Sequence, residues 1–333
     1  MQDCSQAKPS TGDFERAAHA ALQHFGLRDV TLELAGCVEN VVYKVTSAGS
    51  SFVLRLHRPG YHTLAELESE QAWTASLNEA GLAAPRPVAS RAGDRYVLVD
   101  VAGSSPRYAG LSVWRPGQTM GDLMDQEANP TLVARRFAEL GELAAAVHNQ
   151  AVNWEPPPSF ERHALDADGL VGEKPWWGRF WEARALSATD RARLANLRES
   201  LRACLPGYSQ SGEAYSLIHS DLHPGNVLLH EGQLSIIDFD DAGYGWHAYE
   251  LAVALYRYLD EPVLAGYRDA LLEGYSRRRQ LPPDCVSQMS VFWIARTLQT
   301  IGWINDRPEL DKDSNVPALV ERADRLAGDI VFA

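Results

Sequence analysis

His219, Asp221 and Asn226 stand in an H-x-D-x-x-x-x-N spacing, and Asp238 follows them across two short apolar runs. The runs, Val227-Leu228-Leu229 and Leu234-Ser235-Ile236-Ile237, flank His230-Glu231-Gly232-Gln233. That pattern predicts a tight hairpin with a polar, acid-bearing loop at each end. An aspartate, an asparagine further along the same loop and a second aspartate beyond a strand pair is the layout of phosphoryl-transfer sites. The reaction asks little covalent chemistry of a protein. It asks for neutralised phosphate charge and a hydroxyl aimed at the γ-phosphorus. Asp221 would accept or orient the hydroxyl proton. Asn226 would offer a neutral oxygen to Mg2+ and Asp238 an anionic one, hard donors that Mg2+ prefers alongside substrate phosphates. The same residue types also cap turns before hairpins. The second acid beyond the hairpin is what turns the pattern toward chemistry.

Such a site also needs a cation on the donor phosphates. Neither G-x-G-x-x-G nor V-A-I-K is present, and the corresponding stretch reads Gly36-Cys37-Val38-Glu39-Asn40-Val41-Val42-Tyr43. Arg55 lies in the apolar run Phe52-Val53-Leu54-Arg55-Leu56, where the phosphoryl-transfer layout places its lysine. A guanidinium is always charged and binds phosphate in a bidentate manner. A surface strand arginine is the plain alternative. The following helical stretch carries Glu66, Glu68 and Glu70, of which Glu66 and Glu70 share a face.

The elements that must position these groups differ along the chain. Residues 14–25 read as a helix ended by Gly26, and 38–46 and 51–56 as strands around the turn 47–50. A helix is expected over 64–80, a strand over 96–101, and a short hinge near 114–117. Helices dominate thereafter, expected over 132–149, 176–185, 190–204, 249–259, 263–278, 286–305 and 317–329, with the catalytic hairpin as a β island among them. The organisation is therefore an α+β chain. It has a polar N-terminal tail over 1–12, a β-rich nucleotide-binding lobe over 13–115, and a mainly helical catalytic and acceptor-binding lobe over 116–333.

The stretches IHSDLHPGNVLL and IIDFDDAGYG resemble the aminoglycoside phosphotransferase/choline kinase-like superfamily, and the likeness runs from about residue 14 onward. Antibiotic kinases, homoserine-kinase-like enzymes and a stress-response kinase belong to it. The resemblance implies a protein-kinase-like bilobal fold, ATP as phosphoryl donor, and Asp221, Asn226 and Asp238 in the roles given above. It implies that Glu39 and Asn40 belong to a glycine-poor phosphate loop, that Glu70 is the ion-pair partner of Arg55, and that residues 111–114 face the adenine edge. The family usually has glycine where this chain has Ser220, and aspartate where it has Glu250.

Few residues separate Asp238 from the next helical run, and no A-P-E follows. A protein substrate would find little docking platform, so the expected acceptor is a small hydroxyl compound. A protein Ser/Thr kinase of the stress-response type is the alternative, and an ATP-binding pseudokinase a remoter one. Asp240, Asp241 and His223 are candidates for the acceptor pocket, with a turn-forming role as their plain alternative. Trp176, Trp177, Trp181, Trp293 and Trp303 read as packing aromatics, and His148 as a packed histidine.

The charge balance is 31 − 44 = −13, which argues against nucleic acid and anionic membrane as partners. The four cysteines show no metal-ligand spacing, and no run has the length and apolarity of a membrane span. These features lead to the expectation of a cytoplasmic protein.

Overall fold

A computed structural model describes residues 9–328 and 330; residues 1–8 of the expected tail lie outside the described residues. The chain divides into two compact units, Met1–Gly117 with Pro156–Glu161, and Gln118–Glu155 with Arg162–Ala333.

The first unit opens with helix α1 (Thr11–His24), started by a capping box between Ser10 and Asp13. Strands β1 (Thr31–Cys37), β2 (Val41–Ser47) and β3 (Ser50–Leu56) follow, then helix α2 (Leu64–Glu79) and strands β4 (Pro87–Val88), β5 (Tyr96–Val99) and β6 (Arg107–Val113). All pair antiparallel in the order β1-β2-β3-β6-β4, with β5 also on β6. Alternation decides the faces. Val41, Tyr43 and Val45 of β2 and Leu54 and Leu56 of β3 point into a core shared with Ala17, Ala18, Ala21 and Leu22 of α1. Arg55 is therefore on the other face of β3, half-buried. β1 is an edge strand with mostly exposed residues, which is why it carries no strong apolar signal. Residues 156–161 join this unit, where the Glu161 N–H donates to Ser69 Oγ on α2 (2.8 Å).

The second unit holds β7 (Gln118–Thr119), α3 (Met120–Asp125), α4 (Pro130–Asn153), β8 (Ala164–Leu165), α5 (Ala167–Val171), α6 (Ala188–Cys204), β9 (Tyr215–Ile218), β10 (Val227–His230), β11 (Gln233–Ile236), β12 (Gly243–Trp246), α7 (His247–Leu255), α8 (Leu264–Ser276), α9 (Cys285–Asn305) and α10 (Val316–Gly328). The turn between β10 and β11 carries positive φ at Glu231 (48°) and Gly232 (79°), the backbone that a two-residue hairpin needs. β10 also pairs β7, while β12 runs parallel to β8 and antiparallel to β9.

The helix expected over 176–185 is replaced by a turn and a single 3-10 turn at Phe180–Glu182. Gly178, at φ 87°, sits in left-handed backbone that interrupts a helix, and a Cβ there would meet Asp306 Oδ2 at 2.4 Å. The aromatic spacing belongs to packing, with Trp177 and Phe180 both buried. Among the described residues no helix is long and apolar enough to cross a membrane.

Candidate active site

Topology brings the two acid-bearing loops together. β9 leads into loop 219–226, the β10–β11 hairpin follows, and 237–242 leads into β12, which pairs back onto β9 with Gly243 opposite Ile218. At the other end Val227 pairs with Ile236, and beyond it the Ile237 N–H donates to Asn226 O (2.9 Å). Both loops are thus closed by strand pairing on each side.

Three groups fix Asp221. Arg296 Nη2 donates to Oδ1 at 2.5 Å, Asn226 Nδ2 donates to Oδ2 at 3.0 Å, and His223 Nε2 lies 3.4 Å from Oδ2. Burial by itself would push the carboxyl up. The Arg296 guanidinium, with His223 and His219, outweighs burial and holds it well below the usual carboxylate range. His223 has one bare nitrogen: Nδ1 accepts the Gly225 N–H (3.0 Å), which leaves Nε2 to carry the proton that faces Asp221. The structure thus puts His223 against the Asp221 carboxylate.

Asn226 is buried, and its amide orientation follows from chemistry. Its NH2 donates to both Asp221 O (2.9 Å) and Asp221 Oδ2, so the Oδ1 is the atom left to meet a cation. Asp238 is exposed and stands in left-handed backbone at φ 64°. A non-glycine residue persists there only where its surroundings dictate it. The preceding Ile237 supplies part of that constraint, because its carbonyl accepts His219 Nε2–H at 2.9 Å. His219 Nδ1 in turn accepts the Asp221 N–H (3.3 Å), so one fully buried imidazole ties the Asp221 loop to the Asp238 segment. An anionic carboxylate and an amide oxygen suit Mg2+ completed by phosphates. Among the described residues no group of three or more His, Cys, Asp or Glu could hold a metal ion.

Glu250, on α7, lies beneath the loop, fully buried. Its Oε1 accepts the His219 N–H at 2.7 Å. Burial pushes the carboxyl up to about 7, partly offset by His219 and by the N–H groups of His219 and Ser220. The longer side chain therefore still braces the loop. His148 Nε2 is 3.9 Å from Oε1, and the His148 ring stacks on His247 at 4.0 Å. Burial lowers His148 to about 3 and lowers His247 as well. Ser220, at φ 63°, occupies the backbone region where glycine is at home, and its Oγ donates to Asp241 O (2.5 Å).

Asp240 is buried and Asp241 half-buried, and Asp241 adds to the negative charge around Arg296. Sequence reasoning missed Arg296 itself. It is the only charged residue of α9 and is held over the Trp177 ring (5.2 Å), with Nη1 3.4 Å from Tyr249 Oη. A lone charge inside a long apolar helix was the signal available.

In the first unit, Glu39 and Asn40 form the turn between β1 and β2. Asn40 Oδ1 accepts the Arg58 N–H at 2.8 Å, and Glu39 O accepts from Arg107 at 3.4 Å. Glu70 is buried on α2, its Oε2 without a hydrogen-bond partner among the described residues. Glu66 is spent on the α2 capping box with Thr63. Leu111 and Ser112 lie mid-sheet between β3 and β4, and the N–H groups of Val113 and Trp114 bond Arg86 O and Ser51 O. The Val113 and Trp114 amides of the expected adenine-facing stretch are thus already bonded within this unit.

The family model described as "Phosphotransferase enzyme family" matches residues 31–284. The amicoumacin kinase of Bacillus subtilis (strain 168) is 23% identical over 307 residues, covering 89% of this chain and 86% of that protein. Among solved structures, a microcompartment-associated aminopropanol kinase superposes with a TM-score of 0.80 at 28% identity, covering 95% of this chain and 98% of the other. The amicoumacin kinase hAmiN, solved in complex with AMP-PNP, Ca2+ and Ami, superposes with a TM-score of 0.76 at 18% identity, covering 96% of this chain and 94% of the other. The chain's fold is accordingly the α+β, kinase-like one, with a β-rich N-terminal and a helical C-terminal region.

Proposed function

Because the chain belongs to the phosphotransferase enzyme family, we propose that it moves the γ-phosphoryl group of ATP to a hydroxyl of a small molecule, with Mg2+ as the metal. The observation that carries this reading is the Asp221 carboxylate, held ionised by Arg296, His223 and Asn226 in a loop tied through His219 to the Asp238 segment. Asp238 and Asn226 Oδ1 are the groups that would hold Mg2+. When bound, that ion neutralises the charge of the transferring phosphates. In the first unit, Arg55 is assigned to the donor phosphates, Glu70 to orienting it, and the Glu39–Asn40 turn to the phosphate loop.

Asp221 is a weak base in this setting. It orients the acceptor hydroxyl and takes the proton late, when bonding to phosphorus has made that hydroxyl acidic. Asp240 and Asp241 add negative charge nearby, which suits an amine-bearing alcohol. The aminopropanol and amicoumacin kinases support a small-molecule acceptor.

The test is Mg·ATP-dependent phosphoryl transfer across amino alcohols, aminoglycosides, homoserine and a generic protein. Turnover of a small alcohol is expected, with Asp221→Asn reducing kcat by about a hundredfold or more while nucleotide binding persists. Transfer to the protein alone would replace the small-molecule reading. No turnover with any acceptor, wild type and variant alike, would sink it.

A further inference from the structure

We propose that Arg162 is a positioning residue for the metal loop: its guanidinium fixes the main chain of residues 239–242 and thereby sets where Asp238 presents its carboxylate. The inference rests on Asp238 being a metal ligand.

Arg162 comes just before β8, and β8 runs parallel to β12 with Ala164 opposite Tyr244. That register brings residue 162 beside residue 242. The approach is close: the Tyr244 N–H donates to His163 O (2.9 Å), and a Cβ on Gly243 would meet the same oxygen at 2.7 Å. From there Arg162 Nε donates to Ala242 O at 2.5 Å, and Nη2 donates to Asp240 O at 2.6 Å and Phe239 O at 3.2 Å. The remaining carbonyl of the segment, that of Asp241, accepts from Ser220 Oγ. Two side chains thus engage four consecutive carbonyls.

The need is physical. Phe239, Asp240 and Ala242 are buried and the segment is neither helix nor strand, so apart from the turn bond from the Ala242 N–H to Phe239 O (3.0 Å) its carbonyls lean on side chains. Asp238 begins it in strained left-handed backbone. Upstream, Ile237 is pinned by Asn226 and His219. Downstream, the Arg162 and Ser220 bonds join the turn bond from the Ala242 N–H to Phe239 O (3.0 Å) in fixing the direction in which the chain leaves Asp238. A planar fork of N–H groups can reach carbonyls along two of its edges at once, and a lysine ammonium cannot.

The experiment uses the full chain with Arg162→Gln, Arg162→Lys and Asp238→Ala. Without ligands, amide hydrogen exchange across 238–243 is expected to quicken by about tenfold in Arg162→Gln and less in Arg162→Lys, with α8 and α9 unchanged. In nucleotide binding, the Mg2+ concentration for half-saturation is expected to rise by about tenfold in Arg162→Gln, as for other groups that orient metal ligands. The acceptor KM at saturating Mg2+ should barely move. Ser220→Gly relieves its own positive-φ strain, so its fold is safe. It should shift exchange at 241–242 and the Mg2+ requirement in the same direction, by a smaller factor.

Wild-type exchange over 238–243 in Arg162→Gln would overturn the clamp. Faster exchange with an unchanged Mg2+ requirement would overturn its link to the metal. Asp238→Ala with intact Mg2+-dependent nucleotide binding would instead overturn the metal-ligand reading, leaving the clamp judged by exchange alone. Should Arg162→Gln not fold, the graded response of Arg162→Lys and Ser220→Gly decides.

Discussion

Asp221 shows how one carboxylate is tuned by groups from different parts of the chain. His223 and Asn226 come from its own loop, whereas Arg296 lies 75 residues downstream. The local pair was legible because their spacing is fixed by the loop. Arg296 was not, because nothing in the chain between them sets that distance. The arginine has a testable effect on the reaction. With Arg296→Gln, burial of Asp221 is opposed only by the weaker influences that include His223 and His219, so its carboxyl moves up from its depressed value. The acid limb of the kcat–pH profile is expected to move to higher pH, with activity lost at pH values where wild type still works. An unchanged acid limb would show that Arg296 does not govern the ionisation of Asp221. His223, expected in the acceptor pocket, has its Nε2 3.4 Å from Asp221 Oδ2.

At the level of elements, the β10–β11 hairpin was legible because an apolar run, a glycine turn and a second apolar run are sequence-local. β9 and β12 were not. β12 contains two glycines and reads as loop, and it is a strand only because it pairs between β8 and β9. The helical scaffold under the site depends on equally close approaches. α4 and α8 pack so tightly that a Cβ on Gly141 would meet Leu271 O at 2.0 Å, and one on Gly274 would meet Ala138 O at 2.0 Å. Gly141→Ala is therefore expected to destabilise the protein by about 1–3 kcal/mol in denaturant unfolding, despite alanine's better helix propensity. Gly266→Ala, on the same α8 with open space around it, is expected to stabilise by about 0.5–1 kcal/mol. Equal effects of the two substitutions would remove close packing as the reason for the glycine at 141.

Across the whole molecule, burial of ionisable groups makes stability depend on pH in two opposing ways. His148, lowered to about 3, leaves the unfolded chain to take up protons below its ordinary value of 6.5, so its contribution grows as pH rises between those limits. His247 acts in the same sense. Glu250, raised to about 7 from 4.5, keeps a proton that the unfolded chain has lost, so its contribution shrinks as pH rises over that window. Glu250→Gln removes the second effect alone. Urea unfolding at about pH 5 and pH 7.5 should show the variant gaining about 2 kcal/mol relative to wild type between the two. A pH-independent difference would mean that Glu250 does not titrate between these values in the fold.

What the sequence determined by itself was the order of β-rich and helical regions and the grouping of Asp221, Asn226 and Asp238. Both follow from short-range rules: apolar period, turn residues, and a hairpin that returns one loop to the other. The tertiary structure alone decided which side chains surround that grouping. Arg162 reaches carbonyls 77 to 80 residues away, and Glu250 and His148 meet beneath the loop from separate helices. These partners answer needs that appear only on burial, unbonded carbonyls and an isolated carboxylate, and no local pattern records where the chain will find the groups to meet them.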